Sequence, residues 1–71
     1  MINHQALRHW RAIEALDSRA IRRTIENLRD ARRFPHPPQY VEAEEKALCF
    51  WWTERRQSRA HIREILNGGA L

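Results

Sequence analysis

The sequence predicts an all-α protein, an antiparallel two-helix hairpin that is expected to dimerise into a four-helix bundle. Apolar residues recur with a helical period in both halves of the 71-residue chain, and no period-two alternation appears. Glycine is absent before Gly68, and the three prolines all lie between positions 35 and 38. These breaks predict a single domain, 1–71, with a helix over about 4–33, a Pro-rich turn over 34–38, a helix over about 39–67 and a short tail over 68–71.

The first helix is predicted from a broad apolar stripe. At about 100° per residue, one arc collects Leu7, Trp10, Ile13, Leu16, Ala20, Ile21, Ile25, Leu28 and Ala31. The opposite arc collects Arg8, Arg11, Arg19, Arg22, Arg29 and Arg33. Asn3 is the expected N-cap, and the prolines of "FPHPP" end the helix because they lack an N–H. A second possibility is a break at "LDSRA", with Asp17 or Ser18 as the N-cap of a new helix.

The second helix is predicted to begin near Pro38, because proline suits the first position of a helix. Glu42, Glu44 and Glu45 follow in the early turns, where acidic side chains complement the positive end of the helix dipole. The "NGG" at residues 67–69 supplies the expected stop. The apolar stripe of this helix consists of Tyr40, Ala43, Ala47, Leu48, Trp51, Ser58, Ile62, Ile65 and Leu66.

Asp17 interrupts the apolar stripe of the first helix at its middle. A short turn makes the two helices antiparallel neighbours, so position i faces roughly position 73 − i. Trp10 and Trp51 then lie in the seam between the helices. Asp17 falls opposite three arginines of the second helix, Arg55, Arg56 and Arg59. We expect a charge-assisted pair between Asp17 and one of them, which would fix the register of the hairpin.

The stretch "LCFWWTERR" places three large rings side by side. On a helix Trp51 lies in the seam, while Phe50 and Trp52 lie about 100° away on its two flanks. A two-helix hairpin cannot cover both flanks, and a domain this small needs a further contact for stability. We expect a homodimer at one flank and a foreign protein at the other, with Tyr40, Phe50, Trp52 and Arg56 in these interfaces. Which flanking ring serves which contact stays open.

Several functional classes are not expected from this composition. Cys49 is the only cysteine and no N-terminal stretch resembles a secretory signal, so a cytoplasmic location is expected. No apolar run approaches the roughly 20 residues of a membrane span. Asp17, Ser18 and His61 lack the glycine-rich turn that accompanies a nucleophile, so no catalytic residue is assigned and no enzyme is expected. The four histidines and the cysteine lack metal-ligand spacing, so no metal or cofactor is expected.

Nucleic acid is the alternative partner. The formal net charge is +4, and eight of the thirteen basic residues lie in the first helix. Candidates for contact with a phosphate backbone are Arg19, Arg22 and Arg29. Three acidic residues of the same helix, Glu14, Glu26 and Asp30, lie one turn from arginines, and local ion pairs are expected to neutralise much of the charge. A protein partner is therefore the preferred prediction, and a membrane partner is not expected.

In architecture, over residues 4–67, the chain resembles two groups of small helical-hairpin proteins. It is similar to phage-encoded host-takeover proteins of the quorum-sensing anti-activator type, in its small size, its many arginines and the surplus rings of "CFWWTERR". That resemblance implies a non-enzymatic cytosolic hairpin that binds and inhibits a bacterial regulator. The chain also resembles the Rop-like plasmid copy-number proteins, whose dimeric four-helix bundles bind RNA loop pairs, although those hairpins are more acidic.

Overall fold

Two helices make up the fold. The computed structural model describes residues 2–68, with α1 at His4–Arg33 and α2 at Pro38–Leu66. No strand occurs in this range, so the predicted all-α helical hairpin is confirmed. α2 begins one residue before its predicted start, and residues 69–71 of the predicted tail lie outside the described range.

α1 is capped as predicted and is continuous. The Ala6 N–H donates a hydrogen bond of 3.0 Å to Oδ1 of Asn3, which confirms the N-cap. The helix runs through Asp17 and Ser18 without a break. Neither side chain caps a new helix, because Ser18 Oγ donates to Glu14 Oε1 at 3.1 Å and Asp17 is engaged by the other helix. The alternative of two shorter helices is therefore wrong.

α2 ends with a glycine in the conformation that glycine favours. Gly68 has a φ of 80°, a left-handed value that side chains with a Cβ rarely adopt. Its N–H donates to the Ile65 carbonyl at 3.0 Å, which satisfies one of the last carbonyls of the helix. The stop signal at Asn67 and Gly68 is therefore confirmed, while Gly69 lies outside the described residues.

The register of the hairpin follows from three hydrogen bonds that cross between α1 and α2. They join Arg59 to Glu14, Ser58 to Asp17 and Asn27 to Glu44. All three fall within two residues of the predicted antiparallel register. Residues i of α1 and 73 − i of α2 can therefore be treated as lying at the same level, that is, at the same height along the hairpin.

The core of the single hairpin is small. Among residues 2–68 the buried apolar side chains are Leu7, Ile21 and Ile65, while Trp51 is only half-buried. The expectation that Leu16 and Leu66 face the core is wrong, because both are exposed. Each lies next to a buried residue, Asp17 or Ile65, and is therefore about 100° around its helix from the buried side.

The hairpin exposes more surface than a compact protein of its mass. Its accessible surface is 5773 Å² for a mass of 8.6 kDa. A compact monomer of that mass exposes about 4,700 Å², so the surplus is about 1,100 Å². The molecule measures 53 × 14 × 12 Å, and the surplus arises because two helices leave both broad faces uncovered. Neither helix of the described range has the length and apolar character needed to cross a membrane.

Candidate functional site

Asp17 and Ser58 form a buried polar pair at the middle of the seam. Their exposed fractions are 3% and 2%, and Ser58 Oγ donates a hydrogen bond of 2.9 Å to Asp17 Oδ2. The predicted ion pair of Asp17 with Arg55, Arg56 or Arg59 is therefore wrong in its partner. A short serine at the same level fits inside the seam, whereas an arginine can extend its charged group to water. The pair is structural and leaves the arginines available at the surface.

Arg59 lies at the surface and contacts α1. Its Nε donates to Glu14 Oε1 at 3.2 Å, and the same oxygen accepts a hydrogen bond from Ser18. This is the one ion pair in the described part of the chain. The local pairs expected within α1 for Glu14, Glu26 and Asp30 are therefore wrong, so the other arginines keep their hydrogen-bond donors available to a partner.

Five side chains of α2 line a shallow surface depression of about 370 Å³: Trp52, Arg55, Arg56, Arg59 and Arg63. The spacing of these positions places them on one stripe of the helix, about 16 Å long. The tryptophan ring is 43% exposed. We call this surface the arginine–tryptophan face.

The chemistry of the arginine–tryptophan face suits an acidic partner. Each guanidinium is a planar, positively charged donor that matches a carboxylate or phosphate. The exposed Trp52 ring adds apolar contact area, and tryptophan and arginine dominate the energetics of many protein interfaces. Glu14 is the acidic side chain that the structure pairs with this face, and it engages only Arg59. The face therefore remains strongly basic.

Phe50 lies on the other flank of α2. Its ring is 55% exposed and packs edge-on against Trp51, with ring centroids 5.0 Å apart and an angle of 74° between the planes. Trp51 lies between the two flanks and is half-buried. Helical spacing separates Phe50 from Trp52 by about 200°, so no flat partner surface covers both rings.

Two stacked aromatic pairs lie near the ends of the hairpin. Trp10 stacks on His61 across the seam, with ring centroids 4.0 Å apart and an angle of 18° between the planes. Tyr40 stacks on His36 beside the turn, at 4.8 Å. Tyr40 precedes Trp52 by twelve residues, which is about 18 Å of helix. The structure therefore does not bring Tyr40 together with the arginine–tryptophan face.

The three arginines proposed for nucleic acid do not share one depression. Arg19 lines a groove together with Trp51, whereas Arg29 lines a separate depression together with Leu48. These two sites lie on different flanks of α1, and Arg22 lines neither of them. Helical spacing nevertheless places all three within about 80° of one another on the outer surface of α1.

Arg63 and Ser58 are the site residues whose roles sequence reasoning missed. Arg63 continues the stripe of Trp52, Arg56 and Arg59 at helical spacing, so the signal was present in the sequence. Ser58 belongs to the predicted apolar stripe of α2 and lies at a level close to Asp17, but the opposite charge of the arginines makes them the expected partner of that carboxylate.

No match to this chain is found among protein-family models, curated proteins or solved structures. Within residues 2–68, no group of three or more His, Cys, Asp and Glu side chains is arranged to hold a metal ion. In the same range every buried polar side-chain atom has a hydrogen-bond partner.

Proposed function

We propose that this protein is a non-enzymatic interaction module that binds an acidic surface of another protein through the arginine–tryptophan face. The observation that carries the proposal is the clustering of four arginines and an exposed tryptophan on one stripe of α2. A single carboxylate, that of Glu14, pairs with this cluster. Binding would occupy the partner's surface and thereby inhibit it. The resemblance to host-takeover proteins suggests a cytoplasmic bacterial regulator as the partner.

The charge distribution along α2 favours a protein over a nucleic acid. The helix carries five basic and five acidic residues. Four of its bases lie within 55–63, whereas three of its acids lie within 42–45, toward the turn. A polyanion that follows the whole helix would meet these acids, and like charges repel. A local acidic patch on a protein would meet only the basic half.

A second candidate function is nucleic-acid binding by α1. The helix carries eight basic residues against four acidic ones, and none of its arginines forms an ion pair in the described structure. That observation favours the alternative, since unpaired arginines can contact phosphates. The absence of one depression lined by Arg19, Arg22 and Arg29 together weakens it.

Capture of a partner by the immobilised protein tests the proposal. We expect the wild-type protein to retain a discrete protein from a nuclease-treated bacterial lysate at physiological salt. Trp52→Ala and Arg56→Glu are each expected to weaken retention by about 30-fold or more, as loss of an interface hot spot does. Arg8→Glu is the matched control, because it makes the same charge change at an exposed position of α1 and is expected to retain the partner.

Two outcomes would contradict the proposal. Equal retention by wild type and Trp52→Ala would show that the arginine–tryptophan face does not bind the partner. Loss of all retention after nuclease treatment, together with weaker RNA or DNA binding by Arg22→Ala and Arg29→Ala, would support the nucleic-acid alternative instead. Such binding would also fall steeply as salt rises, because counterions are released from phosphates.

A further inference from the structure

A groove runs between α1 and α2 on the flank away from the arginine–tryptophan face. It has a volume of about 400 Å³. Its lining includes the small side chains of Ala20, Thr24 and Ala47, the Trp51 ring, and Asn27, which donates to Glu44 across the groove at 3.4 Å. Thr24 Oγ1 donates to the Ala20 carbonyl at 2.8 Å, so the threonine hydroxyl is already bonded within α1. The lining therefore presents mainly apolar surface. We call it the alanine groove.

The two edges of the alanine groove carry opposite charges. Arg19 and Arg23 line it on the α1 side, and Glu44 lines it on the α2 side. Glu54 lies three residues beyond Trp51 on the same side of α2 and is half-buried. In the antiparallel register Glu54 lies at the level of Arg19. The face therefore has a positive edge and a negative edge.

Phe50 stands beside the alanine groove. It lies three residues beyond Ala47 on α2, and its ring is 55% exposed. In the register of the hairpin it lies at the level of Arg23, one turn or less from Ala20 and Thr24. The exposed Phe50 ring and the alanine groove thus lie side by side on one face of the hairpin, at the same height along it.

We propose that a second copy of this chain covers this face and forms an antiparallel four-helix bundle with two-fold symmetry. A two-fold axis parallel to the helices places α1 over α2 of the partner subunit at equal levels. The positive edge of each copy then faces the negative edge of the other, as an isologous interface requires. The same rotation brings Phe50 of the partner subunit over the alanine groove, where its ring fills the hollow.

The available area fits a stable dimer. The broad face of the hairpin measures 53 × 14 Å. Covering it would bury about 700 Å² per copy, close to the roughly 800 Å² per partner of a standard interface. The surplus exposed surface of the single hairpin is of the same order. A second copy would also cover Trp51, which the hairpin alone leaves half-buried.

The opposite flank is a poor site for a second copy. The arginine–tryptophan face would bring four arginines toward four arginines, and their repulsion is unfavourable. We therefore place Phe50 in the dimer interface, while Trp52 stays outside that interface on the arginine–tryptophan face. This inference does not depend on the proposed function, because the dimer would form whether or not a partner binds.

Light scattering across about 1 to 100 μM tests the proposal. We expect wild-type protein to have twice the monomer mass of 8.6 kDa at the upper end. Phe50→Ala removes two rings per dimer and is expected to raise the dissociation constant by about 30-fold or more. Trp52→Ala is the matched control on the other flank and should leave the dimer intact. A wild-type monomer at 100 μM, or equal effects of both variants, would overturn the proposal.

Charge reversal tests the arrangement without removing a ring. We expect Arg19→Glu and Glu54→Arg each to weaken the dimer, because each sets like charges against each other at the same level of the interface. The double variant should restore dimerisation, since the reversed charges again face their opposites. Circular dichroism on the same samples separates dissociation from unfolding. Failure of the double variant to recover the dimer, while it stays helical, would overturn the proposed pairing of edges.

Discussion

Replacing Ser58 with alanine is expected to lower the free energy of unfolding by about 3 kcal/mol. The hydroxyl of Ser58 supplies the hydrogen bond that the structure gives to the buried carboxyl group of Asp17. Without this hydroxyl, the Asp17 carboxyl group would remain buried, at 3% exposed, and would have no hydrogen-bond donor. A buried polar group that loses its partner carries the full cost of its removal from water. Chemical denaturation, followed by circular dichroism at one protein concentration, measures the change.

The reciprocal variant is expected to be milder. Asp17→Ala leaves only the Ser58 hydroxyl unpaired, and that hydroxyl can turn to a carbonyl of its own helix, so we expect a loss of about 1 kcal/mol. The double variant should be more stable than Ser58→Ala alone, because neither polar group remains. Equal losses for the two single variants, with an additive double variant, would show that the carboxyl and hydroxyl groups do not interact.

The second large effect is expected at Ile65. Its side chain is fully buried, with an exposed fraction of 0%, near the open end of the hairpin. We expect Ile65→Ala to lower the free energy of unfolding by about 2 to 5 kcal/mol, through lost burial and the cavity left behind. The total free energy of unfolding of a 71-residue domain is about 4 to 11 kcal/mol, so this one substitution would remove a large share of it.

Leu66 provides the matched control for Ile65. It is the next residue of α2, it is also aliphatic, and it is 45% exposed. We expect Leu66→Ala to cost less than about 1 kcal/mol. Both variants are compared at one protein concentration, because self-association would make the apparent stability depend on concentration. A smaller loss of unfolding free energy in Ile65→Ala than in Leu66→Ala would contradict the observed packing of Ile65 in the seam.

The sequence was sufficient to predict the helices and their register. Helical periodicity, the prolines before α2 and Gly68 after it are local signals, and each acts through the backbone of a few residues. The cross-helix hydrogen bonds of Asp17 and Asn27 agree with the register because a short turn leaves antiparallel packing as the simplest arrangement. The fold class and the register could therefore be predicted from patterns among residues that are close together in the sequence.

The side-chain partners could not be predicted in the same way. Asp17 had three arginines and one serine within reach on the same level, and only the packing of the seam selects the serine. The same packing leaves Leu16 exposed, although it lies on the edge of the apolar stripe. The difference between the two flanks of α2 also needed the structure, because the alanine groove beside Phe50 is built from both helices.

The central claim is that two flanks of one helix serve two different contacts. Its most direct test is to measure, side by side, how strongly the Phe50→Ala and Trp52→Ala proteins retain the captured partner. We expect Phe50→Ala to retain it within a few-fold of wild type and Trp52→Ala to lose it by about 30-fold or more. An equal loss of retention in both variants would contradict the claim, because the two rings would then belong to a single binding surface.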